Sequence, residues 1–336
     1  MPLEGVRPGA QSCTSFQHLP LLVIAFALIS LAAAAQQVRT WRIGYLMDRS
    51  GPVAFDEAFV QGLRQNGYVV GQNVTIEYRW TEGKSERLPT LAGELVSQKV
   101  DVIVTAGAAS VRALKAATTT TPIVMASSQD AVADGLVASL ARPGGNVTGR
   151  SVYAPELTPK RLELLKAALP GLSRVGILWN SQNPGGLNQF REAEAAGSAL
   201  GIGITSLDAR FPDDLEKVMA RAAQVGAAAI LTLSDSSTIT FRAEIAAAAH
   251  RYRLATMFSN EAYLAGGGLM SYGPDLAETF RLAAAHVDRI LKGANPADIP
   301  VEQPSRFELV INLKAAEQLG LTIPPSLLLQ ADKLIE

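Results

Sequence analysis

From Trp41 onward, short apolar runs rich in Val and Ile alternate with longer segments whose apolar residues recur at helical spacing. The short runs are apolar almost throughout, as strands covered on both faces must be. That pattern predicts a mostly parallel sheet sandwiched between helices. In the first half it places strands near 43–46, 74–80, 101–106, 123–126 and 147–152, with helices near 56–66, 87–98, 109–117 and 131–140. Gly67, Gly71 and the pair Gly144-Gly145 punctuate helix ends and turns.

After Pro155 the alternation starts again, with a helix near 156–168, strands near 175–179, 204–207, 228–233 and 255–258, and helices near 187–200, 212–224 and 239–252. The repeat predicts a second α/β lobe, so the expected fold class is two doubly wound, Rossmann-like lobes. Past Gly266-Gly267-Gly268 come one more strand near 269–272, a long helix near 275–291, a proline-rich connector over 295–304 and a last strand near 307–312. A short helix and the tail Ile323-Pro324-Pro325 follow. A late helix and a late strand are what a chain needs if it passes between two lobes three times. The expected division is residues 40–154 plus 273–303 for the first lobe and 155–272 plus 304–336 for the second. Right-handed crossovers make each sheet open and doubly wound, and ligands of such sheets sit outside the carboxyl ends of the strands.

Composition narrows the picture. A chain of 336 residues, 48% apolar and 18% charged, can bury two domain cores. Its formal net charge of −1 comes from scattered residues of both signs, so no basic stripe tracks a phosphate backbone and nucleic acid is not an expected partner. Near the start, Arg7 precedes an apolar run from Leu19 to Leu31 that closes on Ala32-Ala33-Ala34-Ala35. This is the layout of a cleaved export signal, expected over residues 1–35, and its apolar run is shorter than the roughly 20 residues a membrane span needs. The single cysteine, Cys13, lies within that segment, so the mature chain is expected to hold no disulfide and no thiolate chemistry. His250 and His286 each lie in a helical pattern without a second histidine one turn away, so no metal site is expected.

Catalytic and cofactor motifs are missing. There is no Gly-x-x-x-x-Gly-Lys-Ser/Thr and no Gly-x-Ser-x-Gly, and Gly201-Ile202-Gly203 precedes a strand instead of following one. Neither an enzyme nor a bound cofactor is expected. What recurs is a cluster of small polar residues at the carboxyl end of each strand: 48–51, 105–110 and 127–130 in the first half, 180–183, 234–236 and 259–261 in the second. Helix N-capping explains any one of them equally well. Their convergence on one cleft favours binding: the 105–110 turn, with Ser50 and Ser127, suits a carboxylate, while Asp48, Asp130, Asp235 and Glu261 suit an ammonium. Phe55, Tyr153, Trp179, Phe258 and Tyr272 are candidates for an apolar lining.

Several long segments go further. Ile43-Gly44-Tyr45-Leu46, the stretch 62–68, the stretch 71–80, the run Gly135 to Gly149, the run Ala265 to Gly273, and Pro300-Val301-Glu302-Gln303-Pro304 with 307–312 resemble, in order, the ABC transporter substrate-binding family that includes tryptophan/tyrosine-type binding proteins. The resemblance spans about Arg42 to Glu336. It implies a type I periplasmic-binding fold with a three-stranded hinge, closing over one small polar or aromatic metabolite, an amino acid or carboxylate, and presenting it to a membrane permease. With the export signal the expected location is the periplasm, and the expected state is a monomer. Carried over by position, Asp48, Ser50, Thr105, Gly107, Asp130 and Tyr153 face the cleft from the first lobe, with Asn180, Asp235, Glu261 and Tyr272 opposite. The departure is in the fourth loop, where Asp130 is followed by Ala131 in place of the family's frequent Pro and is preceded by Ser127-Ser128-Gln129. A ligand-binding sensory module working with a separate signalling partner would carry the same lobes.

Overall fold

The protein is seen in a computed structural model that describes residues 39–152 and 156–336, together with Met1 and Gly5. The expected export segment is otherwise outside the described residues, and so is Tyr153.

The first sheet consists of β1 (Trp41–Met47), β2 (Val74–Trp80), β3 (Val102–Ala106), β4 (Ile123–Ser128) and β5 (Val147–Ser151), all parallel in the order β2-β1-β3-β4-β5. Because side chains alternate along a strand, Ile43, Tyr45 and Met47 enter one core and Leu46 the opposite one. The Leu46 side is covered by α2 (Leu88–Ser97) and α3 (Ala108–Ala117), through Leu91, Leu95, Val111 and Leu114. The Tyr45 side is covered by α1 (Ala54–Gln65), through Phe55, Phe59 and Leu63.

The second sheet consists of β6 (Arg174–Trp179), β7 (Gly203–Asp208), β8 (Ala229–Thr232), β9 (Ala255–Phe258), β10 (Met270–Gly273), β11 (Glu308–Asn312) and β12 (Lys333–Ile335), in the order β12-β11-β10-β9-β8-β6-β7. Only β10 and β11 pair antiparallel. On one face lie α4 (Leu157–Ala168) and α5 (Pro184–Leu200), and on the other α6 (Leu215–Gln224), the short α7 (Ser236–Thr240) and α8 (Arg242–Arg251).

The long helix α9 (Leu276–Leu291) follows β10 of the second sheet yet packs on the first, placing Phe280, Ala283, Ala284 and Val287 in the core with Phe59 and Leu63. Complete burial of a side chain such as Phe280 is worth about 1.5–3 kcal/mol. The contact with α1 is close enough to require glycine: a Cβ on Gly62 would lie 2.2 Å from the carbonyl oxygen of Arg281. The chain then returns to the second sheet as β11, the last of three crossings. Two crossings run side by side, Ser151 N–H donating to Glu302 O and Glu302 N–H to Gly149 O, both at 2.9 Å. The Arg150 guanidinium clamps them through Glu302 Oε2 at 2.7 Å.

Three expectations need correction. Residues 131–140 form turns and bends instead of a helix: Asp130 Oδ1 accepts from Val132 and Ala133 N–H, and Gly135 sits at φ +67°, outside the right-handed helical region. Ala131, Leu136 and Val137 are buried, which is why the segment looks amphipathic. The 239–252 helix is broken at Phe241, between α7 and α8. The expected short helix is α10 (Leu313–Leu319), and the tail beyond it adds α11 (Pro325–Leu328) and the edge strand β12, which is three residues long and too short to show a period.

Candidate functional site: the cleft between the sheets

The strand ends of both sheets meet at a cleft of about 300 Å³. From the first sheet it receives Asp48 and Arg49 after β1, Gly107 to Ala109 after β3, and Ser127 to Gln129 at the end of β4. From the second come Asn180 and Asn183 after β6, Asp235 after β8, and Asn260 and Tyr263 after β9.

One wall suits an anion. Gly107 precedes α3 at φ +81°, a conformation open to glycine, and no side chain caps the helix. Its first-turn N–H groups therefore stand at the cleft with the positive end of the helix dipole. Arg112 lies one turn further on and lines the same wall, its Nη1 donating to Asp134 O at 3.3 Å. The Asp134 carboxyl is 4.0 Å from the guanidinium, its side chain only 7% exposed, and its Oδ2 has no hydrogen-bond partner. Burial raises the pKa of Asp134 above the usual carboxylate range, with Arg112 opposing. Ser128 Oγ, also at the cleft, is buried without a partner.

A second region is acidic and aromatic. Asp48 accepts from the hydroxyls of Thr81 at 2.8 Å and Ser85 at 2.8 Å. Burial pushes its pKa up, those two hydrogen bonds pull it down, and Asp235 across the cleft pushes it up again. Asp235 caps α7 with Oδ1, which accepts from Ser237 N–H at 2.6 Å, and its Oδ2 accepts from Asn183 Nδ2 at 2.9 Å. Beside Asp48, the Arg49 guanidinium lies 5.0 Å from the Phe55 ring centre and 5.1 Å from that of Trp80, and pairs with Asp56. Asp56 in turn accepts from Tyr45 OH and from Val53 N–H, so Arg49 is fixed from behind. Tyr263 stacks on Phe258 at 4.9 Å, which puts Phe258 in the core, and its hydroxyl meets Thr238 Oγ1 at 2.7 Å.

Of the residues expected at the site, Asp48, Gly107, Ser127, Asn180 and Asp235 line the cleft. Others lie elsewhere. Thr105 is fully buried and donates to Leu46 O at 2.7 Å, because its position on β3 turns it toward β1. Asp130 is used by its own Asx turn. Glu261 pairs with Lys333 in a separate surface depression beside the end of β12. Tyr272 packs with Phe307 at 6.3 Å and against the second core, and Ser50 is exposed without lining the cleft. Arg49, Asn183 and Asn260 belong to the polar strand-end clusters legible in the sequence, whereas Arg112, Asp134 and Tyr263 lie outside them. Arg112 was findable, since it stands four residues after Ala108 on the face that opens at the helix start. Asp134 was hidden inside the segment read as a helix.

Among the described residues no group of three or more His, Cys, Asp or Glu is placed to hold a metal ion, and no helix is long and apolar enough to cross a membrane.

Comparison with known proteins agrees with this geometry. The model of the family described as ABC transporter substrate binding protein matches residues 48–335. A protein named tyrosine-binding protein, from Clostridioides difficile, is 26% identical over 270 residues, covering 79% of this chain and 77% of its own. Among solved structures, an ABC domain in complex with L-Trp from Streptococcus pneumonia superposes with a TM-score of 0.82 at 28% identity, covering 88% of this chain and 100% of the other. A conserved domain protein from Vibrio cholerae gives 0.83 at 27% identity, with the same coverage. The two-lobed architecture is that of type I periplasmic binding proteins, and the matching family is one of substrate-binding proteins, not enzymes.

Proposed function

The chain belongs to the ABC transporter substrate-binding protein family, and from that premise we propose that it captures an amino acid or aromatic carboxylate in the cleft and delivers it to a membrane permease. The observation that carries this reading is the pairing of opposite chemistries across one cavity. The uncapped start of α3 with Arg112 suits a carboxylate, while Asp235 on the other lobe, with Asp48, suits an ammonium. Phe55, Phe280 and Leu276 supply apolar wall for a side chain between them. The ligands named for relatives, tyrosine and L-Trp, carry the same three features.

In this reading residues 40–154 plus 273–303 and 155–272 plus 304–336 act as two lobes. A ligand touching both stabilises the closed state, and the three crossings serve as the hinge. Residues 1–35 direct export and are removed, and the mature protein works in the periplasm as a monomer. The test is a thermal-shift and calorimetric screen of amino acids and aromatic acids. A specific ligand at 100 times its Kd adds about 2.7 kcal/mol to stability. Absence of any shift across such a panel would falsify the reading.

A further inference from the structure

A buried histidine stands against the connector that feeds the last crossing. His286, on α9, is 1% exposed, and its Nε2 lies 3.3 Å from Pro300 O. The connector is held on its other sides by Thr148 Oγ1, which donates to Ile299 O, and by Val301 N–H, which donates to Leu140 O, each at 2.7 Å. A carbonyl can only accept, so Nε2 carries the proton of the neutral ring and Nδ1 carries none. Nδ1 is itself buried without a hydrogen-bond partner. A second proton would enter at an atom that has no acceptor, which is costly inside a protein.

Charges reach the ring from three segments. Glu302 on the connector attracts an imidazolium, whereas Arg150 on β5 and Arg289 on α9 itself repel it. Glu302 is already engaged by both arginines, through Oε2 with Arg150 at 2.7 Å and Oε1 with Arg289 at 3.6 Å. The Arg150 side chain is 5% exposed and that of Glu302 is 41% exposed, so Glu302 is the partner free to move. The remaining charges nearby are committed or exposed. Glu278 pairs with Arg281, Asp288 with Tyr68 and Lys292, and Asp56 of α1 with Arg49, while Glu57, Arg64 and Asp298 are exposed. Strands β3 and β4 bring no titratable side chain. Burial holds the His286 pKa below the ordinary 6.5, with Glu302 opposing.

With the crossings read as the hinge, we propose that neutral His286 latches the connector onto α9, and that a proton taken from solvent at Nδ1 draws Glu302 from Arg150 to the imidazolium, loosening the clamp between two crossings and easing lobe movement in acid. Because the folded pKa is the lower one, the latch is at full strength above the unfolded value of 6.5 and is lost as pH falls through the folded value.

Amide hydrogen exchange of the ligand-free protein, followed by NMR, tests this at the bonds themselves. Ser151 and Glu302 N–H join the two crossings. Their protection, corrected for the intrinsic pH dependence of exchange, should fall by about threefold or more between about pH 7.5 and about pH 5. The midpoint should match the imidazole titration of His286, while Ile177 and Leu231 in the second core stay protected. His286→Gln can still donate to Pro300 O but takes up no proton, so it should keep the neutral-pH protection and lose the acid fall. Flat protection in the unaltered protein overturns the inference, as does a fall that His286→Gln retains or whose midpoint differs from that of the ring. Should His286→Gln not fold, Glu302→Gln decides: low protection of Ser151 at every pH supports the latch, and an unchanged acid fall overturns it. None of these outcomes touches the ligand reading, which the binding screen judges separately.

Discussion

The two walls of the cleft carry similar residues and use them differently. On the second lobe Asn180, Asp235 and Asn260 each accept from the backbone N–H two residues on, at 2.9, 2.6 and 3.1 Å, so their side chains already stabilise the local turn or helix start. On the first lobe the equivalent turn before α3 is made by a glycine with no cap, and Asp134 Oδ2 and Ser128 Oγ stand buried without partners. Both lobes place polar groups at strand ends, and the first sets two of its unpartnered atoms, Asp134 Oδ2 and Ser128 Oγ, at the cleft itself. The difference teaches that a ligand gains most from the first lobe, and that the second contributes groups held in place beforehand by their capping bonds.

Arg112→Met should give the largest effect, because it removes a charged donor from the open wall. A loss of about 1.5–3 kcal/mol in ligand binding is expected, roughly 10- to 150-fold in Kd by calorimetry, with little change in melting temperature. An unchanged Kd would break the comparison. Gly107→Ala attacks the same wall through its backbone: at φ +81°, ψ 146°, a region essentially reserved for glycine, an L side chain costs about 1–3 kcal/mol, read as a lower urea midpoint, and displaces the amides at the helix start.

Asp235→Ala should cost about 1 kcal/mol of folding stability through the lost cap, with a weaker effect on carboxylate ligands than Arg112→Met. If it abolishes binding of ligands without an ammonium group, the second lobe is not the lesser partner. The smallest effect concerns Asp48, a cleft carboxylate of the first lobe whose oxygens already accept from Thr81 and Ser85. Its folded pKa is raised above the ordinary 3.8, so the folded state takes up the proton more readily than the unfolded one. The stabilising contribution is complete below that unfolded value and disappears as pH rises through the folded one. Asp48→Asn should therefore raise the stability of the ligand-free protein slightly at neutral pH and flatten its acid-range profile, while weakening ammonium-bearing ligands.

Legibility followed locality. The strands 74–80 and 255–258 have the bounds the sequence predicts, and the predicted 123–126 runs two residues further, to Ser128, because buried strands between glycine and polar turns declare themselves within a few residues. The 131–140 segment misled because Ala131, Leu136 and Val137 are buried from a chain of turns, and burial without helical hydrogen bonds mimics an amphipathic pattern. At the site, Ser127 and Thr105 looked equivalent as polar residues at strand ends. Thr105 instead satisfies the carbonyl of Leu46 on the neighbouring strand, which no spacing along the chain discloses.

The sequence by itself determined two α/β lobes with polar strand ends, since apolar periodicity and turn chemistry act between residues close in the chain. Tertiary structure alone decided which of those polar groups face the cleft, because that depends on sheet register, on side-chain direction and on what the opposite lobe presents. Arg161 shows the limit most clearly. Nothing around it on α4 marks a site, and it lines a chamber only because α5, β9 and β10 close around it, from Gln189, 28 positions away, to Tyr272, 111 positions away.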